Sequence, residues 1–226
     1  MSLLTLAIAP VIVIFFYVYI RDKFEKEPKK LLFYTFLIGA IASVLISTIL
    51  YSISNFFLPK AQEFSVFDQF LKAFFVVALI EEFSKYVIVR YYNQPKKAFN
   101  EPFDGIIYAV MVSMGFAFIE NIFYVLDGGI SVAILRAFTA VPAHATFGII
   151  MGYFMGKAKF SKKKSRWNLI GLTMAILFHG AYDFFLFINF IPGISIGAFI
   201  SLVIGIIFSR KAIKLHQNNS TFKTVI

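Results

Sequence analysis

Seven apolar runs, near 3–20, 31–58, 69–92, 105–126, 132–156, 168–190 and 193–209, are each long enough to cross a bilayer as a helix. Hydrocarbon offers no partner for backbone N–H and C=O groups, so such runs must satisfy their hydrogen bonds internally, as helices. The expected fold is therefore an all-α, polytopic transmembrane helix bundle of about seven helices. Composition agrees: hydrophobic residues make up 59% of the chain and charged residues 15%, against roughly 25% charged in a soluble domain. There is no Cys, which excludes disulfides and thiolate metal sites. The first run carries no charged side chain up to Ile20 and lacks the basic start of a secretory signal, so it reads as a retained helix. Loops are short and no repeat or linker stands out. Residues 1–216 read as one membrane domain, and 217–226 as a flexible cytoplasmic tail.

The net charge of +10 does not point to nucleic acid, because it sits in short loops between apolar runs. If seven helices alternate, the loop 21–30, the stretch 90–97, the loop 157–167 and the C-terminal tail share one side. They carry 18 of the 22 basic residues. The positive-inside rule then places the N-terminus outside and the C-terminus in the cytoplasm, with the basic loops against anionic lipid.

Within these runs lie Glu81, Glu82, Glu120, His144, His179 and Asp183. A charged side chain costs about 2.5–3.5 kcal/mol at mid-bilayer, so such residues are expected to face one another and a wet cavity rather than lipid. With alternating helices their depths agree within about 6–8 Å, from the midplane toward the outer face.

Glu81 and Lys85 share a helix face and can pair; Glu82, rotated by about 100°, must find another partner. Both acids can be structural, or their crowding can leave one able to exchange protons near neutrality. Glu120-Asn121 and His144 each admit a plain interhelical hydrogen-bonding role. The ridge His144, Gly148, Gly152, Gly156 predicts close helix packing. His179 and Asp183, four apart, predict an imidazole oriented by a carboxylate. Elsewhere, His216 is expected in solvent, Asp104 as a helix N-cap, and Arg136 snorkelling toward the outer interface.

Together Glu81-Glu82-x-x-Lys85, Gly115-Phe116-x-x-x-Glu120-Asn121, His144 with Gly148, and His179-Gly180-x-x-Asp183 resemble the PrsW family of bacterial intramembrane proteases. The shorter stretches Asp104-Gly105-Ile106-Ile107-Tyr108 and Gly156-Lys157-Ala158-Lys159-Phe160 match as well, and the resemblance covers nearly the whole chain. The pattern is distantly similar to CAAX prenyl proteases. The resemblance implies a multi-pass protein of the bacterial cytoplasmic membrane. Its expected reaction is hydrolysis of a membrane-anchored, single-span protein such as an anti-sigma factor, at the extracytoplasmic side, as a first (site-1) cut.

Two mechanisms stay open. In the glutamate type, Glu81 or Glu82 with His144 activates water, and His179 with Asn121 or Lys85 stabilises the oxyanion. In the metal-assisted type, His144, His179 and Glu82 hold Zn²⁺. The first is preferred, because no H-E-x-x-H lies on a single helix. A proton-coupled transporter would also bury a Glu/His layer, but the paired interrupted helices of such folds are missing.

Overall fold

The computed structural model describes residues 2–223, and among them the regular structure is helical, with no strands. In chain order the helices are α1 (Leu3–Arg21), α2 (Lys29–Phe57), α3 (66–93), α4 (Pro102–Phe138), α5 (Ala140–Lys159), α6 (Lys164–Phe187) and α7 (Ile196–Asn218). Among the described residues, five stretches are long and apolar enough to cross a membrane: α1, α2, the 58-residue run Pro102–Lys159, α6 and α7. Helix α3 is a continuous helical run but carries Asp68, Lys72, Glu81, Glu82, Lys85 and Arg90, which set it apart from the apolar stretches. A polar helix of this kind belongs inside a bundle.

The run Pro102–Lys159 does not extend straight. At Gly129 the backbone takes φ 71° and ψ −157°, outside the helical range and open to glycine alone. The chain then folds back, so that Arg136 returns beside Glu120 and α5 packs antiparallel along α4. Close approach is enforced by the expected glycine ridge: a Cβ on Gly152 would collide with the backbone of Gly105 and Ile106.

Helix α4 is the axis of the bundle. Residues 103 to 117 are all buried, since α4 is apolar all round and is covered by α1, α2 and α5. Val11, Val18, Phe103, Ile107, Met111 and Met114 form one core with α1; Ile88, Phe147, Met151, Leu172 and Leu202 form a second on the α3–α5–α6–α7 side. The outer faces of α1, α2 and α7 stay apolar and uncovered, with Val13, Ile20, Ile41, Ile49, Phe199 and Ile207 all exposed. An apolar exterior over a partly polar interior is what a lipid solvent selects.

Three expectations are corrected. Asp104 is not the N-cap of α4: Glu101 is, and Asp104 closes the capping box from the third helical position. His216 is buried rather than solvated; it stacks on Tyr153 at 4.3 Å, with its Nε2 2.8 Å from the Tyr153 carbonyl oxygen. Arg136 does not snorkel outward but turns inward to Glu120. Of the expected tail, Gln217 donates to the Arg21 carbonyl at 2.5 Å and Ser220 bonds Glu101. Residues 224–226 lie outside the described residues.

Candidate active site

Four helices bring the expected residues together. Helix α3 contributes Glu81, Glu82 and Lys85 just after a π-helical turn, Lys72–Ala78, which resets the angular phase of everything that follows. Helix α4 contributes Glu120, α5 His144, and α6 His179 and Asp183. The imidazole centroids lie 5.5 Å apart, edge to face.

A continuous polar chain runs through the group. Arg136 donates to Glu120 at 2.6 Å, and Glu120 lies 2.9 Å from His144 Nε2. The Lys85 ammonium is 3.3 Å from His144 Nδ1 and donates to Glu82 Oε1 at 2.6 Å. An ammonium can only donate, so His144 Nδ1 accepts and its Nε2–H faces Glu120. Glu82 Oε1 also lies 2.8 Å from His179 Nδ1, while His179 Nε2 is 3.2 Å from Asp183 and 4.0 Å from Glu81. The partner that Glu82 needed is thus Lys85 together with His179, whereas Lys85 stands further from Glu81, at 3.6 Å.

The two adjacent glutamates differ in what they face. Glu81 lines a cavity of about 870 Å³ together with Glu120, His144, His179 and Asp183. Glu82 and Lys85 sit behind that wall, each 1% exposed or less. Asn121 is also turned away: it donates to the Ala7 carbonyl at 2.7 Å and accepts from Arg136 at 2.7 Å, fixing α1 and Arg136.

Residues absent from the sequence-level set complete the site. Tyr51 of α2 donates to Glu81 Oε1 at 2.9 Å. Phe147 stacks on His179 at 4.7 Å and 15°. Phe116 covers the Lys85 ammonium at 4.3 Å, a cation–π contact that compensates lost water.

Residues 27–209 match the model of the PrsW family intramembrane metalloprotease. The chain belongs to the PrsW family of intramembrane proteases. Protease PrsW of Oceanobacillus iheyensis is 40% identical over 187 residues, covering 82% of this chain and 83% of that protein. The Geobacillus kaustophilus and Bacillus subtilis proteins named Protease PrsW are 38% and 35% identical, covering 80% and 83% of their own lengths and 82% of this chain. No solved structure matches. With the apolar helices, membership makes the chain a multi-pass cell-membrane protein and a membrane-embedded protease.

The family description raises the question of a metal. One donor atom from each of Glu81, His144 and His179 lies within 4.8 Å of the others. Glu81 Oε2 is buried without a hydrogen-bond partner among the described residues, so it is free to take a ligand. Two imidazoles and one carboxylate form a donor set suited to catalytic Zn²⁺, and these residues fit the ion once one His144 nitrogen is released from its partner, Lys85 or Glu120. The carboxylate in this trio is Glu81, where the sequence alone suggested Glu82.

Proposed function

We propose that this PrsW-family protease cleaves a single-span, membrane-anchored protein of the anti-sigma-factor kind at the extracytoplasmic face, with Glu81 as the carboxylate that receives the proton of the attacking water. Seven crossings with the N-terminus outside put the Glu/His layer between the midplane and the outer surface, within reach of an unwound substrate segment. The observation that carries the assignment is the asymmetry between the glutamates. Glu81 faces the cavity with Oε2 unpartnered, and Tyr51 holds its Oε1. Glu82 is buried against Lys85 and acts on His179 instead.

In this reading Glu81 positions the water and takes its proton, as a base within hydrogen-bond reach must, while His144 turns its Nε2–H from Glu120 to the water oxygen. His179, held by Glu82 on Nδ1, swings its Nε2–H from Asp183 to the oxygen of the scissile carbonyl as charge develops there. Arg136 and Glu120 hold the His144 ring. Phe116 and Phe147 line the cavity and cover Lys85 and His179 with apolar surface. The free Oε2 and the spacing of the trio also favour a second reading, in which Glu81, His144 and His179 hold Zn²⁺; the ion would supply Lewis acidity toward water and carbonyl.

The test is cleavage of a purified single-span reporter by the protein in nanodiscs, before and after exhaustive chelation. Cleavage that survives chelation supports the glutamate reading; loss restored by Zn²⁺ alone supports the metal reading. Absence of cleavage under all conditions, with solute flux in its place, contradicts the proposal.

A further inference from the structure

About 24 Å along α4 from Glu120, at 1.5 Å per residue, a second set of carboxylates closes on itself. The α1–α2 loop supplies Asp22, Glu25 and Glu27, and the start of α4 supplies Glu101 and Asp104. All but Glu25 are 1% exposed or less.

The hydrogen bonding here is one-sided. Asp104 Oδ2 accepts from the backbone N–H groups of Asn100 and Glu101, each at 2.7 Å. Glu27 Oε2 accepts from the Tyr108 hydroxyl, and Asp22 Oδ2 accepts from the Glu27 N–H at 3.2 Å. The opposite oxygens, Asp104 Oδ1, Glu27 Oε1 and Asp22 Oδ1, are buried with no partner among the described residues, as is Glu25 Oε2. Nearby cations do not cover them: Lys26 donates to the carbonyls of Tyr19 and Asp22, and Lys159 to those of Gln94 and Lys96.

We propose that Glu25, Glu27 and Asp104 hold a hard divalent cation of Ca²⁺ size, which clamps the α1–α2 loop to the N-terminus of α4. One oxygen from each of the three lies within 4.8 Å of the others. Ca²⁺–oxygen bonds of about 2.3–2.6 Å span that distance, whereas Mg²⁺ at about 2.0–2.1 Å would require the carboxylates to close further. An all-oxygen donor set disfavours softer metals. Each carboxylate keeps one oxygen anchored or exposed and offers the other, so the site is preorganised. Glu25 is partly exposed, leaving an approach from solvent and room for water ligands.

The test uses full-length protein in nanodiscs and Tb³⁺, an oxygen-seeking ion whose emission is sensitised by tyrosine; Tyr108 stands beside Glu27. The expected result is sensitised emission displaced by Ca²⁺ and less effectively by Mg²⁺, with Ca²⁺ also raising the thermal midpoint. Glu25→Gln, at a side chain that makes no hydrogen bond among the described residues and so tolerates the change, should weaken Ca²⁺ displacement by at least about tenfold and abolish the thermal shift. Glu81→Gln should leave the emission intact. Absence of Ca²⁺-displaceable emission overturns the proposal. So does emission unchanged in both Glu25→Gln and Asp104→Asn, or emission lost in Glu81→Gln, which would move the ion to the proteolytic site.

Discussion

Replacing Tyr51 by Phe removes one hydroxyl and keeps the ring, so it isolates the bond to Glu81. That bond is 2.9 Å long, partly buried, and made to a carboxylate. Once it is gone, the remaining polar neighbours of Glu81 are Lys85 at 3.6 Å and His179 at 4.0 Å, neither at hydrogen-bond distance. A hydrogen bond to a charged group contributes about 1.5–3 kcal/mol, and each 1.4 kcal/mol is a factor of ten. If the bond holds Glu81 in its reactive position, Tyr51→Phe should lower kcat roughly 10- to 150-fold with little change in KM, because the hydroxyl orients the carboxylate and not the substrate. The assay is single-turnover cleavage of a reporter at saturating enzyme in nanodiscs, alongside a thermal melt. A kcat within twofold of wild type would refute the claim that Tyr51 positions Glu81. A fall in KM-normalised rate that tracks a fall in thermal midpoint would reduce Tyr51 to a packing residue.

Three further outcomes are expected. Gly152→Val should lower the thermal midpoint sharply in a melt of the detergent-solubilised protein, because its side chain meets the Gly105 backbone and overpacking costs about 1–3 kcal/mol or more. Arg136→Met should cut turnover about tenfold or more by releasing Glu120 from its ion pair and loosening His144, with Arg136→Lys recovering part of it in the same cleavage assay. The native chain has no Cys, so single cysteines in loops 21–30 and 157–167 give a clean topology readout. Both should resist an impermeant thiol reagent in intact cells, and labelling of 157–167 would reverse the proposed orientation.

The helical bundle and the convergence of its polar residues were readable in the sequence because lipid makes both nearly compulsory. Charge inside an apolar run is costly, so Glu81, Glu120, His144, His179 and Asp183 had to find one another. Which of two adjacent glutamates faces the cavity was not readable. That depends on the angular phase of α3, and the π-helical turn at Lys72–Ala78 shifts the phase without a mark in the sequence. Tyr51 stayed hidden because a neutral aromatic in the run 31–58 looks like its lipid-facing neighbours. A polar aromatic at a depth shared with buried acids is the signal that could have found it. Arg136 reads as interfacial because it lies near a helix end, and only the reversal at Gly129 turns it inward onto Glu120. His216 reads as solvated because the apolar run ends before it, yet α7 continues to Asn218 and packs the ring on Tyr153.

The central claim is that Glu81 does the proton chemistry while Glu82 holds the scaffold. Comparing Glu81→Gln with Glu82→Gln, each by single-turnover cleavage and thermal melting, tests it most directly. Glu81→Gln should lose at least about a hundredfold in turnover and keep its thermal midpoint, since it removes an acid–base group but no short ion pair. Glu82→Gln should also lose activity, but with a clear fall in midpoint, because it leaves Lys85 buried without its 2.6 Å partner. Near wild-type turnover in Glu81→Gln, or the reverse pattern with the stability loss at Glu81, would contradict the account.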